Sequence, residues 1–147
     1  VVLLPASHSL AKKKVIESKQ LVNENILLLG QGHCLRDHVL SVCPHCYVDQ
    51  PKGKDGVRAT TFEGTSLETI RHMVASGMGI TVLPATAATL PSYLKQTLVA
   101  VPLKSTQAKR KIVLASRKQF ARSEVMTCIK QALQQSVLKN NELIRFV

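Results

Sequence analysis

The segment that most constrains the fold begins at Thr65, in a pattern typical of a helix start. Thr65 and Glu68 match a capping box, with Thr65 as the cap and an acid three residues on. Gly77 and Gly79 predict the helix end, after apolar residues at helical spacing: Leu67, Ile70, Met73 and Val74. Ile80–Leu83 follows as a short apolar strand, stopped by a proline. A helix that leads directly into a buried strand indicates an α/β domain.

The rest of the chain alternates in the same way. Further strands are expected at residues 1–4, 25–29, 57–63, 98–103 and 111–115, and further helices at residues 34–42 and 123–138. Residues 6–10 are expected to form a loop with Ser9 as a helix cap. This order predicts an α/β fold with a mostly parallel sheet.

Composition limits the function classes. With 147 residues, 45% of them hydrophobic, the chain suits one modest domain. No apolar run approaches the roughly 20 residues that span a bilayer, so no membrane partner is expected. The sequence starts at Val1 without a Met and without the pattern of a signal peptide. We therefore interpret the chain as a piece of a longer protein. Its net charge of +11 favours a solvated basic face with anion affinity, because no helix-turn-helix or aromatic platform accompanies it.

The four cysteines are expected to be free thiols, metal ligands or redox centres, since the absence of a secretory signal argues against a disulfide framework. Cys34 follows an apolar strand and a glycine turn, which places it in the first turn of a helix, where partial positive charge favours a thiolate. His33, Arg36 and His38 can add to that effect, and Asp37 can relay a proton or hold Arg36. The alternative is a buried, inert Cys34.

Cys43 lies nine residues beyond Cys34. A continuous helix would separate the two by about 13.5 Å of rise, whereas a disulfide needs Cα atoms within about 7 Å. Oxidation of a helical segment must therefore unwind it. The pair predicts a conformational switch in which Cys34 forms a sulfenic acid and Cys43 resolves it.

Two other readings of the cysteines stay open. Cys43-Pro44-His45-Cys46 resembles the active site of DsbA-type thiol oxidoreductases, although its place at a helix end does not favour a stabilised thiolate. Zinc is the other option, with ligands drawn from Cys43, Cys46, Cys34, His33, His38 and His45. Cys128, on the apolar side of the last helix, is predicted to be a core residue.

Two segments carry a resemblance to a known family. Gly32-His33-Cys34-Leu35-Arg36-Asp37, with Cys43 after it, resembles the redox motif of the OxyR family of LysR-type transcription regulators. The segment from Thr65 to Pro84 resembles the effector-domain signature of the same family. The resemblance implies a truncated, Rossmann-like lobe of a periplasmic-binding-protein type II-like effector domain. It also implies a bacterial, cytoplasmic regulator that activates an oxidative stress response and is not a turnover enzyme. An effector module that binds a small ligand, such as an anion between lobes, stays open as an alternative function.

The resemblance also implies roles for residues. Cys34 corresponds to the peroxidatic cysteine and Cys43 to the resolving one, joined in a redox disulfide. His33 would help to bind hydrogen peroxide, Asp37 would assist proton transfer, and Arg110 would support the thiolate. No metal or cofactor is implied.

Domains and partners follow from the same resemblance. Residues 1–108 would be the second lobe of the regulatory domain and residues 109–147 the returning strand and terminal helix of the first. The rest of that lobe, with its peroxide-binding threonines, and the DNA-binding domain are absent. The implied partners are hydrogen peroxide, a second copy in a dimer or tetramer, promoter DNA, RNA polymerase, and glutaredoxin or thioredoxin as reductant. The helix at 67–76 would take part in dimer contacts.

Overall fold

The computed structural model describes residues 1–44, 63–109, 113–117 and 122–135. The chain forms two compact units, Val1–Lys109 and Arg110–Val147. That these units correspond to the second lobe and to the returning part of the first lobe stays a prediction.

The first unit contains seven described strands and two described α-helices. The strands are β1 Val2–Pro5, β2 Ile16–Glu17, β3 Leu28–Leu29, β4 Glu63–Gly64, β5 Thr81–Val82, β6 Leu98–Val101 and β7 Leu103–Lys104. The helices are α1 Cys34–Val42 and α2 Leu67–Ala75, and short 3-10 helices connect other elements. The predicted bounds of α1 are confirmed residue for residue.

The prediction of a mostly parallel sheet is wrong for the largest sheet. β1 lies between β5 and β6 and pairs with both in antiparallel fashion. Parallel pairing occurs between β2 and β7 and between β3 and β4, and at an isolated bridge from Ile26 to Ile80. The predicted strand at residues 98–103 is divided at Pro102, because its two halves pair with different partners.

Side chains that alternate along the strands build two separate cores. Val2 and Leu4 of β1 belong to one hydrophobic cluster and Leu3 to the other, as expected when successive side chains point to opposite faces. α1 contributes Val39 and Val42 to the first cluster, and Cys43, the C-cap residue after the helix, also belongs to it. α2 contributes Ile70 and Val74 to the second. The two helices thus cover opposite faces of the strands.

Two predicted caps lie one residue from where they were expected. The N-cap of α2 is Ser66, whose side chain accepts a hydrogen bond from the Thr69 amide, rather than Thr65. In the first 3-10 helix the cap is His8 rather than Ser9. In both places two neighbouring residues can accept the bond, and the backbone decides which one is extended.

The described part of the second unit corrects two predictions. Its helix α3, Ser123–Gln135, buries none of its side chains, and Cys128 is exposed rather than part of a core. Residues 113–117 have no regular secondary structure, so no strand is found at 113–115. An apolar stripe predicts which face of a helix favours burial. That face becomes part of a core only where another element packs against it. Among the described residues, no helix is long and apolar enough to cross a membrane.

Candidate redox site

The candidate site is built on the turn that joins β3 to α1. Leu29 ends β3, and the amide of Gly30 donates to the carbonyl of Gly64 on the neighbouring strand at 3.1 Å. Gly32 then adopts a φ of 90°, a conformation that L-residues with side chains avoid. This glycine turn aims the chain back over the sheet, so that α1 begins at Cys34.

Cys34 is the first residue of α1 and is exposed. The burial of Cys34 that the alternative expected is therefore wrong. His33 is the N-cap, and its side chain makes no capping hydrogen bond. Asp37 lies one helical turn beyond Cys34 and is exposed, and His38 is half-buried. The amino end of α1 thus presents a thiol with an imidazole and a carboxylate nearby in the sequence, all open to solvent.

Cys43 is at the other end of the helix and in the opposite environment. Only 2% of it is exposed, and its amide donates to the carbonyl of Val39 at 2.9 Å. It belongs to the first hydrophobic cluster. Neither Cys34 nor Cys43 forms a disulfide, and their nine-residue separation along α1 corresponds to about 13.5 Å of rise.

Arg36 does not lie where the sequence suggested. It is 5% exposed and faces the protein interior. Its Nη1 donates to the carbonyl of Leu29 at 2.8 Å and to Oε1 of Glu63 at 2.6 Å. The expectation that Arg36 supports a thiolate at Cys34, or is held by Asp37, is corrected by these contacts. Cys34 and Arg36 are two positions apart in α1, which places their side chains about 200° apart around the helix axis.

Among the described residues, Glu63 contacts the site and was missed by sequence reasoning. It is the first residue of β4 and has no motif of its own. The available signal was chemical: a buried arginine requires an acid or carbonyls nearby. The sequence did not indicate that Arg36 would be buried, and so it gave no reason to look for an acidic partner of Arg36.

The remaining predicted residues are distributed as follows. Arg110, His45 and Cys46 lie outside the described residues. Within the described part of the chain, no group of three or more His, Cys, Asp or Glu side chains is arranged to hold a metal ion. Cys43 is buried at the carboxyl end of a helix, whereas the reactive cysteine of a Cys-X-X-Cys oxidoreductase needs exposure and a stabilised thiolate.

Comparisons with known proteins agree on the family. The profile of the LysR substrate binding domain matches residues 1–137. A probable hydrogen peroxide-inducible genes activator from Streptomyces viridosporus is 34% identical over 93% of this chain and 42% of that protein. The dual regulator OxyR of Escherichia coli K12 is 36% identical over 75% of this chain and 33% of that protein. The chain thus spans less than half the length of these relatives.

Solved structures give the same result. The reduced form of OxyR from N. meningitidis is 38% identical, with a TM-score of 0.72 over 91% of this chain and 60% of that one. The reduced OxyR regulatory domain from Pseudomonas aeruginosa is 37% identical, with a TM-score of 0.73 over 92% of this chain and 60% of that one. The chain therefore belongs to the LysR substrate-binding-domain family, and its relatives and structural neighbours are OxyR regulators.

Proposed function

We propose that this chain is the redox-sensing part of a bacterial transcription regulator that responds to hydrogen peroxide. The observation that carries the proposal is the pair of cysteines at opposite ends of α1. Cys34 is exposed to an oxidant, whereas Cys43 is buried in the core, and a nine-residue helix separates them. A disulfide between them requires that the helix unwind and that Cys43 leave the core.

The chemistry has two steps. The Cys34 thiolate attacks one oxygen of hydrogen peroxide, the O–O bond breaks, and Cys34 becomes a sulfenic acid while the other oxygen leaves and is protonated to water. The Cys43 thiol then attacks the Cys34 sulfur, so that an S–S bond forms and a second water leaves. Two thiols are oxidised and one peroxide is reduced, without a cofactor.

Neighbouring residues would support the first step. His33 precedes Cys34 and is exposed, so its imidazole can hydrogen-bond to a bound peroxide. Asp37 lies one turn away on the same exposed side of α1 and can pass a proton to the leaving oxygen. Arg110 would stabilise the thiolate, by the resemblance alone.

The output would be altered DNA binding rather than turnover. The refolded segment would change how two copies of the regulatory domain associate, and a DNA-binding domain outside this chain would contact the promoter and RNA polymerase. Such a regulator would act in the reducing cytoplasm, where glutaredoxin or thioredoxin would restore the two thiols. That role needs one oxidation per event, so the domain would not act as an enzyme.

Peptide mapping after one equivalent of hydrogen peroxide tests the proposal. The wild-type chain should yield a Cys34–Cys43 disulfide, and Cys34→Ser should abolish it. Cys43→Ser should leave a sulfenic acid that a dimedone probe traps at Cys34. Cys128→Ser is the matched control and should behave as wild type.

Two outcomes of the oxidation experiments would contradict the proposal. One is disulfide formation that survives Cys34→Ser and is lost in Cys46→Ser, which would favour the Cys43-Pro44-His45-Cys46 motif as a thiol-disulfide oxidoreductase. The other is a far-ultraviolet circular dichroism spectrum that is identical before and after oxidation, because formation of the disulfide should remove most of α1. Zinc measured in freshly reduced protein would favour the metal reading instead.

A further inference from the structure

A partly buried ion pair, with Arg36 buried and Glu63 partly exposed, ties α1 to the two strands beneath it. We propose that Arg36 and Glu63 form a latch that holds the segment between the cysteines in its reduced, helical conformation and thereby sets how readily the disulfide forms. Both are positioning residues, since the reacting sulfurs belong to Cys34 and Cys43. The inference rests on the proposed function and adds a control of its redox equilibrium.

The geometry joins three elements through one guanidinium. Arg36 belongs to the first turn of α1, Leu29 is the last residue of β3, and Glu63 is the first residue of β4. β3 and β4 run parallel, with Leu28 opposite Glu63. The bonds from Nη1 of Arg36, 2.8 Å to the Leu29 carbonyl and 2.6 Å to Glu63, therefore fasten the helix to both strands at once.

Burial makes this contact sensitive to the helix position. Arg36 has only 6% of its side chain exposed, against 38% for Glu63. A guanidinium away from water loses its hydration and depends on its protein partners. The partners are fixed on strands, so the arginine keeps both bonds only while α1 stays in register above them.

Formation of the disulfide moves the same backbone. Arg36 is the third residue of the segment from Cys34 to Cys43, and that segment must shorten by about half its helical length to bring the Cα atoms within disulfide range. A contact made in the reduced form and weakened in the disulfide form stabilises the reduced form alone. Its loss should therefore shift the equilibrium toward the disulfide, which is a more negative reduction potential.

The first chemical step should be unaffected. Cys34 is exposed on the side of α1 away from the interior, whereas Arg36 faces the strands. Removal of the latch should leave the rate of sulfenic acid formation unchanged and speed the resolving step, because the segment unwinds more readily. A general loss of stability would not produce this separation of the two steps.

The decisive measurement is the reduction potential of the Cys34–Cys43 pair in glutathione buffers, quantified by peptide mapping. Arg36→Met keeps the aliphatic stem and removes the charge, and Glu63→Gln removes the charge at a partly exposed position where folding is less at risk. Each should lower the equilibrium constant for reduction about tenfold, or about 30 mV. Arg36→Lys should recover part of the shift, and Glu17→Gln, at an exposed pair with Lys104, should give the wild-type potential.

The results separate the two proposals. If the wild-type disulfide forms but both variants keep the wild-type potential, the latch is wrong and the proposed function stands. If the reduced and disulfide forms lose equal unfolding free energy in both variants, the pair is only a structural support and the latch is again wrong. If the wild-type chain forms no Cys34–Cys43 disulfide, the proposed function fails and the latch falls with it.

Discussion

Helices α1 and α2 have the same length but differ in how their ends are capped. Each contains nine residues. α2 is preceded by a side-chain cap at Ser66 and ends at Ala75. Gly77 follows shortly after, and its φ of 77° suits the left-handed position beyond a helix end. The amide of Met78 bonds to the carbonyl of Met73, which satisfies another end group. α2 is thus closed at both ends by its own local sequence.

α1 lacks this local closure. His33 at its start provides no side-chain cap, and Cys43 at its end has an irregular backbone with φ of −129° and ψ of 63°. Stability must come from side chains that point inward, namely Val39, Val42 and Arg36. Isolated helices of nine residues are marginal in water, so α1 depends on its tertiary contacts. We therefore expect that formation of the disulfide can unwind α1, whereas α2 should stay folded.

Substitutions of two buried valines, one in each helix, test directly whether α1 and α2 differ in the disulfide form. Val39 lies in α1 and is 5% exposed, and Val74 lies in α2 and is 0% exposed. Val39→Ala and Val74→Ala should each lower the unfolding free energy of the reduced chain by about 2 kcal/mol, from lost burial and a residual cavity. Only Val39→Ala should spare the disulfide form, because α1 has already unwound there. Its potential should become about 40 mV more negative, and that of Val74→Ala should not move.

Denaturant unfolding of the reduced and disulfide forms of each variant measures their unfolding free energies. The difference between the two losses corresponds to the shift in reduction potential. If Val39→Ala destabilises the two redox forms equally, then α1 stays packed in the disulfide form and the contrast between the helices is not functional.

The cap of α2 provides a smaller test. Ser66 Oγ accepts from the Thr69 amide at 3.1 Å, and Ser66→Ala should cost about 1 kcal/mol of unfolding free energy. The loss should be the same in both redox forms, since α2 persists in each. Thr65→Ala is the matched control, one residue earlier and also exposed, and should cost much less. A larger loss for Thr65→Ala would return the cap to the residue that the sequence pattern indicated.

This one-residue shift illustrates what the sequence could predict. The bounds of α1 were predictable, because a glycine turn precedes Cys34 and the helical spacing ends before Pro44. The cap of α2 was predictable only as a choice between two hydroxyl residues. Strand pairing was less accessible, since the partners of β1 come from distant parts of the chain and periodicity does not indicate strand direction.

The candidate site divides in the same way. The place of Cys34 in the first turn of α1 was predictable from the glycine turn before it, and the long helical path to Cys43 from the spacing, whereas the exposure of Cys34 was left open. The Arg36–Glu63 pair was not predictable, because it joins residues 27 positions apart and Glu63 belongs to no motif. Cys128 was assigned to a core from an apolar stripe, which does not tell what covers that stripe. Local patterns thus predicted where the two candidate cysteines lie better than the contacts that surround them.

The smallest expected effect comes from helix propensity alone. Ser41 is exposed in the last turn of α1, and its hydroxyl donates to the carbonyl of His38 at 2.7 Å. Ser41→Ala and Ser41→Gly differ by about 0.8 kcal/mol in helix propensity and touch neither cysteine. If the reduced form needs the helix and the disulfide form does not, the alanine variant should favour reduction about fourfold over the glycine variant. In α2, Ala75→Gly should lower the stability of both redox forms and leave the potential unchanged. Equal potentials for the two Ser41 variants would mean that the helical state of this segment does not govern the redox equilibrium.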